Sequence, residues 1–232
     1  KMEIKIVKDV MAKDKALALE VRKIVEAKKI LLINFMSSPG AGKTEILKKL
    51  IPRLQKAGFS TGIIEGDIRT ANDAERLQPT GVPISLINTE LFGGSCHLSS
   101  NVILGALQTL PLHDLDLILI ENIGNLVCPA GNDTGAHINL VVSSVTEGED
   151  KPLKYPKMFL RTHAAIINKI DVAELIEADT ELLKKNILTI NPDLRVFLAS
   201  AKKEIGLSEI VDYFQDEYKK IFKLRDIPAM PI

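Results

Sequence analysis

Seven short runs of nearly continuous apolar residues punctuate the chain, at 30–36, 61–65, 84–88, 116–121, 138–145, 164–168 and 196–200. Each is about the length of a strand, and most lack a polar alternation. Strands covered on both faces read this way. Longer stretches with a helical period lie between them. Residues 16–28 place Leu17, Val21, Ile24 and Val25 at helical spacing. Residues 43–57 gather Ile46, Leu47, Leu50, Ile51 and Leu54 on one side, and residues 207–222 gather Ile210, Val211, Phe214, Tyr218 and Ile221. Alternating strands and amphipathic helices predict an α/β fold with a mostly parallel central sheet and helices on both faces. No internal repeat, low-complexity tract or linker interrupts the pattern. The expectation is one domain over 1–232, with an amino-terminal helical segment (1–29), a core (30–215) and a loose tail (223–232).

Composition narrows the partners. Lys plus Arg number 30 and Asp plus Glu number 30, so the formal net charge is zero and a dedicated nucleic-acid binder is not expected. There is no Trp, and aromatics are only 4%, so the core must rest on aliphatic side chains. No apolar run approaches the ~20 residues that span a bilayer. Residues 1–15 are charged throughout and lack the apolar block of a signal peptide. Two cysteines, Cys96 and Cys128, are too few for a disulfide scaffold and fit free or metal-bound thiols in a reducing compartment. The expected location is cytoplasmic, with no membrane partner.

The first apolar run leads into Ser37-Ser38-Pro39-Gly40-Ala41-Gly42-Lys43-Thr44-Glu45, followed by a helical pattern. The phosphate-loop pattern asks for glycine where Ser37 stands, yet its physics survives. Gly40 and Gly42 let the backbone curl so that successive N–H groups, Ala41 included, point at phosphate oxygens. Lys43 would reach the β- and γ-phosphates, and Thr44 would offer a hydroxyl to Mg²⁺. The plain alternative is a Gly-rich turn with no ligand. Gly-Lys-Thr between a strand and a helix argues against it.

A later run ends in Asn168-Lys169-Ile170-Asp171, at a strand terminus where open α/β sheets bind ligands. Asp171 can accept two hydrogen bonds from guanine, at N1–H and the 2-amino group. Adenine offers an acceptor at N1 and no 2-amino group, so the carboxylate rejects it. The stem of Lys169 would cover the base, and Asn168 would brace the loop. Ser200-Ala201-Lys202 follows the last run, and its backbone N–H can meet guanine O6. In this order the motifs point to GTP over ATP.

Two acidic strand ends lie between them, Glu65-Gly66-Asp67 and Glu121-Asn122-Ile123-Gly124-Asn125. Asp67 is the first choice for holding Mg²⁺, with Glu121 as a partner acting through water or from behind. The N–H of Gly124 can meet the γ-phosphate, a contact made with GTP and lost with GDP. The residue that positions the attacking water is not identified.

Cys96 and His97 are adjacent, and Cys128 follows Gly124 by four residues. Such ligands suit borderline-soft ions such as Zn²⁺ or Ni²⁺. Three ligands cannot close a four-coordinate structural site, so water, backbone or a second chain must complete it. His113, His137 and His163 stand alone and read as surface or structural residues.

These segments resemble the HypB family of hydrogenase nickel-incorporation GTPases. The resemblance spans roughly 30–215, and the stretch Glu121-Asn122-Ile123-Gly124-Asn125-Leu126-Val127-Cys128-Pro129-Ala130 is its most distinctive part. It implies a GTPase of the signal-recognition and MinD-like class that dimerises with nucleotide. It also implies Zn²⁺ or Ni²⁺ at Cys96, His97 and Cys128 near the dimer interface. Nickel would pass toward the large subunit of nickel–iron hydrogenase with a nickel-binding accessory protein. Glu45 and Ser99 depart from the family pattern. A urease or cobalamin-dependent mutase client, and a non-catalytic GTP-dependent metal-binding module, are the competing readings.

Overall fold

The computed structural model describes residues 8–67, 72–88 and 97–223. All seven expected strands form: β1 (Leu31–Ser37), β2 (Thr61–Asp67), β3 (Ile84–Asn88), β4 (Leu117–Glu121), β5 (Ile138–Ser144), β6 (Ala164–Asn168) and β7 (Arg195–Leu198). They make one parallel sheet in the order β3-β2-β4-β1-β5-β6-β7. The three expected helices are α1 (Lys8–Ala27), α2 (Lys43–Lys56) and α8 (Leu207–Phe222). The first starts eight residues before the expected stretch. The segment 8–15 is charged, and the buried stripe of Ala18, Val21 and Val25 lies further along the helix.

Five helices were not expected: α3 (Asn72–Leu77), α4 (Ser100–Leu107), α5 (Lys151–Lys154), α6 (Pro156–Leu160) and α7 (Thr180–Ile190). Most are one or two turns, too short for a period to show. The longest, α7, is signalled at its start: Asp179 accepts the Leu182 N–H at 2.9 Å, a side-chain cap.

Side-chain alternation along β1 explains the layers. Leu31, Ile33 and Phe35 face α2 and α8, packed with Leu50, Leu54, Ile210 and Phe214. Ile30 and Leu32 face the other way, toward Val21 and Val25 of α1 and Ile103 of α4. On that same face Met36, Val141 and Ile167 meet Phe159 of α6 and Leu183 and Ile187 of α7. Both faces are covered, so near-continuous apolar runs were required. Among the described residues no helix is long and apolar enough to cross a membrane.

Strand order reverses at β1, because the chain leaves it toward β2 and later crosses from β4 to β5 on its other side. The phosphate-loop sequence therefore sits at a switch point, where a crevice opens at the carboxyl ends of the strands.

The three solitary histidines are accounted for without a ligand. His137 is buried, and its Nδ1 accepts the Leu32 N–H at 3.0 Å. His163 accepts the Asn139 N–H at 3.0 Å, and His113 is exposed beside Asp114. Burial, aided by Arg22, pushes the His137 imidazole down to about 4. Its native value lies below the unfolded 6.5, so unfolding takes up a proton between those values. Stability is full above 6.5 and is lost as pH falls toward 4. The expected loss reaches about 3 kcal/mol over the window, at ~1.4 kcal/mol per pH unit. Calorimetry between pH 5 and 7 should show a shallower decline for His137→Gln than for the parent. Identical profiles would refute the assignment.

Candidate functional site

The phosphate loop caps α2 with no side chain at all. Gly40 and Gly42 both take positive φ, 78° and 98°. At Gly42 a Cβ would stand 2.5 Å from Asn168 Nδ2, so both conformation and space demand glycine there. Ser37, where the pattern asks for glycine, is not among the positive-φ residues. Its side chain has a task of its own: Lys43 Nζ donates to Ser37 Oγ at 2.9 Å, and Ser37 Oγ donates to the Ser38 carbonyl at 2.6 Å. Lys43 is buried, folded back over the loop it serves.

A cavity of about 510 Å³ opens over this loop, lined by Gly40, Gly42, Lys43, Thr44, Glu65, Glu121 and Gly124 among others. Glu65 and Glu121 are register partners on the adjacent strands β2 and β4, and both are buried. Thr44 Oγ1 donates to Glu121 Oε1 at 2.7 Å. Glu121 thus touches the phosphate-loop threonine directly. Glu65 was not among the expected site residues, and its signal was only a carboxylate one turn of the pleat before Asp67. The side chain of Asp67 lies outside the described residues. Two buried carboxylates and a hydroxyl form a hard-oxygen donor set, with Lys43 adding one positive charge. That set fits Mg²⁺.

Gly124 closes the cavity from above. A Cβ there would stand 3.2 Å from the Pro39 backbone, so the segment after β4 lies against the phosphate loop itself. Glu45 sits at the mouth, where Arg76 pairs with it at 2.5 Å. Arg76 also lines the cavity and was not expected there.

A second cavity of about 360 Å³ adjoins the first and is lined by Gly42, Glu45, Asn168, Lys169, Asp171, Val172, Ala201 and Lys202. Asn168 joins the two. Its Nδ2 donates to the Ala41 carbonyl at 2.9 Å, and its Oδ1 accepts the Ala201 N–H at 3.1 Å. Lys169 has φ 64° and lays its stem between the cavities, with Nζ on the Gly40 carbonyl at 2.8 Å. Ser200 Oγ donates to Asp171 Oδ1 at 2.6 Å and orients that carboxylate. The loop is held shut behind by Gly206, where a Cβ would meet the Leu198 carbonyl at 1.9 Å. The Ala201 N–H is already donated to Asn168 and is not free for a base carbonyl.

The His97 segment lies on the opposite face of the same strand ends, where Leu98 packs on Gly66. His97 is half-buried. Burial lowers its imidazole below the usual 6.5, with Asp14 opposing, so the neutral ligand form dominates at neutral pH. Cys128 is half-buried, and its N–H is accepted by Asn125 Oδ1 at 3.1 Å. Its sulfur stands in a disulfide here, which corrects the expectation of a free or metal-bound thiol at this position. Cys96 lies outside the described residues. Among the described residues no three His, Cys, Asp or Glu side chains gather as a metal centre.

Residues 31–198 match the family described as "CobW/HypB/UreG, nucleotide-binding domain". The chain is 40% identical over 216 residues to the hydrogenase maturation factor HypB of Escherichia coli K12, covering 93% of this chain and 72% of that one. It belongs to the HypB family. The crystal structure of Helicobacter pylori HypB in complex with nickel superposes with a TM-score of 0.84 at 34% identity, over 93% of this chain and all of that one. The signal recognition particle receptor FtsY of Elizabethkingia anophelis shares the fold alone, with a TM-score of 0.55 at 17% identity over 87% of this chain and 72% of that one. The expected HypB resemblance and fold class both stand.

The base cavity yields a direct test. Asp171→Asn replaces an acceptor by a donor, which suits xanthine O2 in place of the guanine 2-amino group. GTP affinity should fall by about 100-fold or more and xanthosine triphosphate affinity should rise. Unchanged GTP binding in a titration would remove Asp171 from base selection.

Proposed function

We propose that this chain is a GTP-hydrolysing metallochaperone that gates nickel delivery during maturation of nickel–iron hydrogenase. One observation carries the reading. The nucleotide cleft and the His97 segment meet at the ends of β2 and β4, and the Cys128 segment continues from β4. Membership of the HypB family, and the nickel in the Helicobacter pylori relative, support it.

The loop amides and Lys43 bind the phosphates. Asn168, Lys169, Asp171, Ser200, Ala201 and Lys202 frame the guanine. Thr44, Glu121 and Asp67, with Glu65 alongside, would hold Mg²⁺, which when bound neutralises charge on the phosphoryl oxygens. Lys43 leaves Ser37 for the β- and γ-phosphates and stabilises charge that spreads in the transition state. The Gly124 N–H reaches the γ-phosphate from the Pro39 side. Its loss after hydrolysis releases the segment that carries Cys128. Nickel or zinc is cargo here, taken by His97 together with Cys96 and Cys128 in their reduced, thiolate form. A second copy of the chain completes the coordination, so a homodimer is the working form. The accessory nickel-binding protein and the hydrogenase large subunit stand upstream and downstream of it in the cytoplasm.

Two variants separate the halves of this reading. Lys43→Ala should abolish detectable GTP hydrolysis and leave zinc stoichiometry intact. Cys128→Ser should weaken nickel binding by about 10-fold or more while GDP affinity stays within about twofold. Full nickel stoichiometry in both Cys96→Ala and Cys128→Ala would defeat the cargo site. Absence of phosphate release from the parent with GTP, Mg²⁺ and nickel would leave a binding module in place of an enzyme.

A further inference from the structure

Leu98 follows His97 directly and is fully buried, outside any helix or strand. Its backbone N–H and carbonyl must therefore find partners elsewhere. Both partners are asparagine carboxamides. Asn122 Oδ1 accepts the Leu98 N–H at 3.1 Å, and Asn132 Nδ2 donates to the Leu98 carbonyl at 3.2 Å. The side chain of Leu98 rests on Gly66, where a Cβ would stand 2.6 Å from Leu98 Cδ1.

Each partner belongs to a working segment. Asn122 directly follows Glu121, and the same Oδ1 accepts the Ile123 N–H at 2.9 Å, so it also starts the turn toward Gly124. Asn132 lies four residues beyond Cys128, in the segment whose other end is tied by Asn125 to the Val127 and Cys128 N–H groups. Behind Asn122 runs a row of carboxamides with one polarity. Asn122 Nδ2 donates to Asn34 Oδ1 at 3.1 Å, and Asn34 Nδ2 donates to Asn139 Oδ1 at 3.0 Å. Asn34 and Asn139 are register partners on β1 and β5. The backbone N–H groups of Leu98 and Ile123 both demand oxygen from Asn122, and that fixes the direction of the whole row.

We propose that Asn122 and Asn132 are positioning residues of the metal site, clamping Leu98 so that the His97 segment is held to the Cys128 segment and follows the end of β4. The inference rests on the cargo reading above. Partners that orient metal ligands govern affinity without touching the metal, commonly by 10- to 100-fold. Here the clamp also gives the nucleotide a second route to the metal, distinct from the pull of Gly124 on Cys128. A displacement of the Glu121 strand end moves Asn122, and through Leu98 it moves His97.

The full chain, loaded with GDP or with a non-hydrolysable GTP analogue, is titrated with nickel chloride against a chromophoric chelator. Asn132→Asp keeps the shape and loses the donor. Its nickel affinity should fall by about 10-fold or more, with GDP affinity within about twofold of the parent. Asn122→Ser should bring the ratio of nickel affinities in the two nucleotide states toward one. Asn191→Asp is the control, because Asn191 also donates to a carbonyl, that of Phe159 at 3.1 Å, far from these segments. It should lower Tm and leave nickel affinity alone. Parent-like nickel affinity in Asn132→Asp overturns the clamp even if Cys128→Ser loses nickel. A nickel loss in Asn191→Asp equal to that of Asn132→Asp reduces the effect to general destabilisation and also overturns it. If Cys128→Ser binds nickel normally as well, the cargo reading fails first and the clamp with it.

Discussion

Consecutive residues of a strand point to opposite faces of the sheet, and the ends of β2 and β4 depend on that constraint. Glu65 and Glu121 turn toward α2 and the phosphate loop, where Glu121 meets Thr44. The very next residues, Gly66 and Asn122, turn toward the face that holds Leu98. One strand pair thus faces the phosphate loop above the sheet and the His97 segment below it. Peptide geometry leaves little slack between neighbours along a strand, so neither side can shift alone.

The carboxamides hold this arrangement together. Asn168 ties the phosphate loop to the base loop through Ala41 and Ala201. Asn139, Asn34 and Asn122 cross from β5 through β1 to the end of β4. Buried amides like these are stable only when both ends are satisfied, and here Asn168, Asn34 and Asn122 each donate and accept. Burying Glu65 and Glu121 side by side is costly without a cation. The aliphatic layers on both faces, with Leu31, Ile33 and Leu47 fully buried on one and Leu32, Ile118 and Ile120 on the other, supply the stability that tolerates such a site.

The seven strands were legible because burial on both faces removes ambiguity of face. The nucleotide motifs were legible because backbone curvature and charge need particular residues at fixed spacing. Glu65 was harder to read: only the register of β2 against β4 brings it level with Glu121. Arg76 reaches the cavity through its pairing with Glu45, which lies 31 residues away. Asn34, Asn122, Asn132 and Asn139 leave no trace in any period, since the partners that tie them across the fold lie 24 to 105 residues distant. The helices α4 and α7 were hidden by brevity and by mixed stripes. The cysteine-histidine pair was visible as residue types, whereas Cys96 lies outside the described residues and its geometry stays with the proposal.

Linkage between the two faces is the central claim, and it has a reciprocal signature. The affinities for GDP and for a non-hydrolysable GTP analogue are measured by titration calorimetry on the parent chain, with and without saturating nickel. If the strand ends couple the faces, nickel changes the ratio of the two nucleotide affinities by about 5- to 150-fold, and the two nucleotides change nickel affinity by that same factor. A ratio that nickel leaves unchanged would contradict it.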